Sequence, residues 1–161
     1  MHSIIHSALT LSGRIRVVQR DLAGRVLRDS GYVSNQITNG GASAVVAWLT
    51  GSPNRGVASQ AIPYPAYMEL GDGTGTPAAT DTNLFSPKVA TYIAVSQAAP
   101  NATNPLIAEW TAVWGPSYGP YSGSEIGLFS RAGTLYAHLL ATIDLTTTSS
   151  TAVTWQWVLS V

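Results

Sequence analysis

The chain has 161 residues, of which 45% are apolar and only 10% charged, with a formal net charge of zero and no cysteine. The missing cysteine excludes disulfide frameworks, thiol catalysis and thiolate metal sites, and the neutral balance argues against general nucleic-acid binding, which needs a basic field. The length suits a single domain with a real core, and a charge content well below the usual ~25% points to a protein packed against other subunits.

Residues 1–12 read as an N-terminal arm. The start, "MHSIIHSALTLSG", lacks a basic n-region and its apolar run is short and broken, so no secretory signal is expected. No apolar span is long enough for a membrane helix, so the protein is expected to be made in a cytoplasm. The arm is either a frayed terminus or a segment that orders against a neighbouring subunit through Ile4, Ile5, Leu9 and Leu11.

Residues 13–161 read as one β domain. In "GRIRVVQRDLAGRVLRDSGYVSNQIT", Ile15 and Val17 alternate with Arg14, Arg16 and Val18, and "DLAG" turns the chain, which gives a hairpin with its arginines on the exposed face. "TNGGASAVVAWLTG" is the one helix. Thr38 or Asn39 caps it, residues 42–49 form its body, Gly51 ends it, and Val45, Trp48 and Leu49 make an apolar stripe that must lie on a sheet. Residues 51–65 form a loop, and "AYMEL" (66–70) is a strand. Further strands are expected at 88–97, 106–114, 125–130 and 134–145, with a long loop at 115–124. In "VTWQWVLSV", Val153, Trp155, Trp157, Leu159 and Val161 share one parity, the mark of a strand with one buried face. Several strands, turn signals and one helix predict a mainly β fold: an antiparallel sandwich or barrel with one short α-helix.

"LGDGTGTPAATDTNL" (70–84) poses the chemical question. A phosphate loop needs Lys and Ser/Thr after its last glycine and a helix beyond. Here Gly75 is followed by Thr76 and Pro77, and another strand is expected beyond Pro87. The glycines therefore read as positive-φ residues for a tight reversal, with Asp81 bonding to nearby backbone. No calcium loop is present. "HSIIH" has metal-like spacing but no third ligand, and His138, sharing strand parity with Tyr136, is expected half-exposed with no acidic partner adjacent in sequence. Glu69, Asp72, Glu109, Glu125 and Asp144 are each expected to make a single contact or to sit at a strand end. No nucleophile, base or metal set emerges, so no catalytic residue, cofactor or metal is expected. Tyr64, Tyr67, Trp114, Tyr118 and Tyr121 lie on or beside loops and would either stack on sugar rings or anchor a subunit interface, where aromatics are enriched.

The order of signals carries more than any one of them. "NQITNGGASAVVAWLTG", "YMELGDGTGTPAATDTNL", "SEIGLFSRAGTLYAHLLATIDL" and a final "VTWQWVLSV" together resemble a family of small structural proteins of tailed bacteriophages, found on the head or in the tail. The resemblance spans about residues 13–161. It implies a non-enzymatic virion part with a β fold, an extended N-terminal arm and a homotrimeric state. The first expectation is a capsid decoration protein bound to the major capsid protein, with Ile4, Ile5, Leu9 and Leu11 as arm contacts, Arg14 and Arg16 near acidic capsid surface, and Tyr118 and Tyr121 at an interface. The alternatives are a tail, baseplate or fibre-base protein, or a carbohydrate-binding module of a fibre. Neither nucleic acid nor a membrane is expected as a partner.

Overall fold

The computed structural model describes residues 10–50, 64–97 and 103–160. Its strands are β1 (Thr10–Asp21), β2 (Val26–Ile37), β3 (Pro65–Gly71), the two-residue β4 (Ile93–Ala94) and β5 (Ser96–Gln97), β6 (Ile107–Trp114), β7 (Tyr121–Ser130), β8 (Leu135–Leu145) and β9 (Ser149–Ser160); helix α1 is Asn39–Thr50. The strands pair antiparallel in the order β4-β3-β7-β8-β2-β1-β9-β6-β5. β4 and β5 are separated only by Val95, whose N–H donates to Ala66 O at 2.9 Å. The two ends of the sheet are thus joined by one short piece of chain, and the sheet rolls into a nearly closed barrel. The seam lies between β2 and β8, which pair only through Gln36 with His138 and Ile37 with Ala137. Beyond it, residues 26–34 of β2 are exposed on both faces.

The expected mainly β fold with one helix is what forms. The last strand obeys its period of two: Val153, Trp155 and Trp157 are buried in the core, where Trp157 meets Trp110 edge-on at 5.2 Å. Such a core is expected from the large apolar area of the tryptophans. The helix begins where its signals place it. Thr38 is its cap, accepting from Gly41 N–H through Oγ1 at 3.2 Å and from Ala42 N–H through its carbonyl at 2.9 Å. Val45 and Trp48 pack on the core, with Trp48 5.9 Å from the Trp157 ring. Gly41 lies so close to the Tyr136 carbonyl that a Cβ there would clash.

Three expectations are corrected. Strand β1 starts at Thr10, so residues 10–12 belong to the barrel rather than to an arm. Residues 88–97 are not one strand but a 3-10 turn (Val89–Thr91) followed by β4 and β5. The buried Thr91 is the cause: its hydroxyl accepts from Leu70 N–H at 2.9 Å and donates to Lys88 O at 2.8 Å, taking the place of a ladder bond and bending the chain across the barrel end. The loop expected at 115–124 is shorter, because β7 starts at Tyr121 and pairs it with Leu145.

Candidate functional site

The glycine stretch leaves β3 as an arch over the outer face of β3, β7 and β8. In β7, Ile126 and Leu128 belong to the main core, whereas Glu125 and Phe129 point the other way. Phe129 there joins Leu84, Leu135 and Tyr67 in a small second core under the arch. A sheet with apolar residues on both faces needs cover on both, and residues 71–88 supply it.

At the centre of this cover lies a buried polar cluster. Glu125 is fully buried, and its carboxylate accepts Gly73 N–H at 3.1 Å and Ser86 N–H at 2.7 Å on Oε1, and Phe85 N–H at 3.0 Å on Oε2. The fully buried His138 places Nε2 2.9 Å from Glu125 Oε2 and Nδ1 2.9 Å from Asp81 Oδ2. An imidazolium donates at both nitrogens, whereas a neutral ring donates at only one. Asp81 Oδ2 also accepts Ala78 N–H at 2.8 Å. Burial alone would raise the Asp81 carboxyl, but the Ala78 N–H and His138 together hold it below the ordinary carboxylate range. Glu69, on the neighbouring strand, is pushed the other way by burial and then by the charge of Glu125. At the rim, Asp72 takes the Ser86 hydroxyl and Lys88 Nζ, the latter at 3.0 Å, and both lower its pKa.

This overturns the expectation of a half-exposed His138 without a partner. The reason is the arch, which lays Asp81 and Phe85 over the ring. A bulge also separates the two residues: Leu128 opposes Ala137 while Phe129 opposes Leu135, so Tyr136 is an extra residue on β8. Tyr136 joins the main core, and the parity it was expected to share with His138 is broken. Glu125 likewise exceeds the single contact expected of each acid. The role of the glycines is corrected too. Among the described residues positive φ is confined to Gly24, Gly31 and Gly133. Gly73 is glycine because a Cβ would sit 2.5 Å from Phe85 Cβ and 2.6 Å from Glu125 Oε1. The stretch is small so that backbone can press against the carboxylate.

The cluster has little to offer a substrate. Both nitrogens of His138 face carboxylates, and both oxygens of Glu125 are engaged by the arch. Among the described residues no group of three or more His, Asp or Glu side chains is arranged to hold a metal ion, and no helix is long and apolar enough to cross a membrane.

A second feature lies on the outer face of β1, β2, β6 and β9. Gln156 is buried there although it points away from the core, with Nε2 donating to Tyr32 Oη at 2.7 Å and Glu109 Oε2 at 2.8 Å, and Oε1 accepting Arg14 Nε at 2.7 Å. The Arg14 guanidinium sits 4.6 Å from the Tyr32 ring centroid. Arg16 pairs with Asp29, whose carboxyl is lowered to about 2 by that hydrogen bond and by Gly31 N–H. Arg14 and Arg16 are therefore brought together around Tyr32. Both are half-buried, not bare charges on a solvated face.

The other expected residues scatter. Ile4, Ile5, Leu9, His2 and His6 lie outside the described residues. Tyr118 and Tyr121 pack against the subunit's own core, and burial, followed by Asp72 and Glu125, raises the Tyr121 phenol to about 12. Trp114 is fully buried and donates Nε1–H to Thr91 O at 2.8 Å, so it cannot stack on a sugar. Leu11 is half-buried opposite Leu159 and lines an apolar groove of about 160 Å³ together with Val45, Trp48, Leu106 and Trp157. The groove and the Glu125–His138 clamp on the arch were both missed by sequence reasoning. The available signal for the clamp was a glutamate and a histidine inside otherwise apolar strands of a chain with few charges.

Comparison with protein-family models, curated proteins and solved structures finds no match to this chain.

Proposed function

We propose that the chain is a non-enzymatic structural subunit of a tailed-bacteriophage virion. In this reading it is a capsid decoration protein that binds the assembled head as a homotrimer and stabilises it. The observation that carries the non-catalytic part is the sealed His138–Glu125 pair, whose polar atoms are spent on each other and on holding an arch of backbone. Supporting it are the low charge content, the groove rimmed by Leu11 and Trp157, and the half-exposed Leu106. The virion assignment rests on the ordered sequence signals that resemble phage head and tail proteins. Stabilisation would come from mass action, since a subunit that binds only the assembled shell shifts the shell toward assembly.

The test is to add purified protein to heads that lack it and count bound copies. Saturable binding of hundreds of copies, with a raised disassembly temperature, is the expected result; no binding at any concentration would refute it. A tail, baseplate or fibre-base protein is the second reading, favoured by the same resemblance, and few copies per particle confined to the tail would select it. A sugar-binding role would now have to use the exposed Tyr64 and Tyr92, not Trp114.

A further inference from the structure

The apolar groove lies where β1 begins. Leu11 and Leu159 form one wall, Val45 and Trp48 of α1 another, and Leu106 and Trp157 complete it. Leu106 keeps 48% of its surface exposed, although its carbonyl is fixed by Leu159 N–H at 2.9 Å. Trp157 is buried, yet its Nε1–H has no acceptor among the described residues. The lining is apolar throughout and fits an extended apolar peptide.

Such a peptide leaves the chain at this point. Residues 1–9, outside the described region, read MHSIIHSAL: no charge, and four aliphatic side chains in Ile4, Ile5, Ala8 and Leu9. The segment contains no Gly, Pro, Asn or Asp, and of the usual turn residues holds only Ser3 and Ser7. A segment that runs on from β1 without turning moves away from its own groove. The six residues from Ile4 to Leu9 reach about 20 Å at ~3.3 Å each, enough to meet an adjoining subunit. We infer that the groove receives residues 4–9 of a second copy of this chain, with Ile5 between Trp48 and Leu106. This rests on the reading of the chain as a self-associating structural subunit. It deepens that reading by naming the contact through which copies are linked, and linkage of this kind multiplies a weak affinity.

The absence of cysteine makes the test clean. A chain carrying Ile5→Cys and Leu106→Cys, oxidised at the protein's natural assembly state, should give a ladder of covalent dimers and higher species on a non-reducing gel. Mass spectrometry should assign these to the 5–106 disulfide. Ile5→Cys with Val113→Cys is the control, since Val113 on β6 is equally exposed at 49% but does not line the groove; it should give no ladder. A monomer closed on itself through the 5–106 bond, or equal ladders from both pairs, overturns the inference. Leu106→Glu, a change at a half-exposed side chain, should lower the oligomer mass without changing the circular dichroism spectrum; an unchanged mass counts against it. The two readings fail separately. Cross-linking without head binding contradicts the virion role alone, and head binding without cross-linking contradicts the groove alone.

Discussion

Glu125→Ala removes the acceptor for Gly73, Phe85 and Ser86 N–H and for His138 Nε2 at one stroke. Breaking a buried hydrogen-bonded pair by deleting one partner costs about 3–5 kcal/mol, because the other partner stays buried and uncompensated. In a domain of this size each kcal/mol moves Tm by about 2–4 °C, so a fall of about 6–20 °C is expected. Glu125→Gln separates charge from shape. Its amide oxygen can still serve Gly73 and Ser86, but its NH₂ then faces Phe85 N–H, donor against donor. Losing a charge-assisted hydrogen bond costs about 1.5–3 kcal/mol, so Gln should fall between wild type and Ala. Lys88, the chain's one lysine, stands exposed at the far end of the arch, and a lysine-specific protease therefore reports arch opening at a single bond. Both variants should be cut faster there, Ala more than Gln. His138→Ala combined with Glu125→Ala should cost clearly less than the two single changes added, as expected of residues in direct contact. If Glu125→Ala melts within about 2 °C of wild type and Lys88 is cut no faster, the clamp is not what holds the arch.

Other outcomes follow from the same geometry. Gly73→Ala must push Cβ into Phe85 and Glu125 and should cost about 1–3 kcal/mol, read from urea midpoints; a neutral result would mean the arch yields easily. Tyr121→Phe removes a buried hydroxyl that has no partner among the described residues and should be neutral or stabilising by up to about 1 kcal/mol. The same change tests the alkaline limb. A phenol raised to about 12 when folded stabilises fully below its ordinary pKa of about 10 and loses that contribution as pH rises through 12. Tyr121→Phe should therefore flatten the loss of stability across that window, and an unchanged slope counts against the assignment. Asp81 works in the opposite direction. Its lowered pKa gives stability that is present above the ordinary carboxylate value of about 4 and is lost as pH falls through the folded value. Asp81→Asn should lower stability at neutral pH and weaken its acid dependence, measured by urea unfolding between pH 6 and 2.

The barrel was legible in the sequence where a strand has one wet face and one dry face. β9 is the clearest case, because Trp155 and Trp157 alternate with Thr154 and Gln156. The helix was legible because Thr38 and the glycines after it are local signals. What stayed hidden depends on contacts distant in sequence. Glu125 and Gly73 are fifty-two positions apart, and no local pattern joins them. The bulge turned Tyr136 into the core and away from the face of His138, and sequence periodicity does not show where a single extra residue falls in a strand. The cause of the glycine stretch was misread: the glycines make room for a carboxylate and a phenyl ring instead of reversing the chain through positive φ. Gln156 shows a further limit, since it keeps the polar parity of β9 yet is buried under Arg14 and Tyr32.

Electron microscopy of phage particles mixed with the purified protein, with subunits located and counted, bears most directly on the proposal that its work is adhesion. The expected image has trimers in many equivalent positions over the head, each barrel joined to a neighbour through its N-terminal segment. A particle that lacks the subunit altogether, with the protein monomeric in solution, would contradict it.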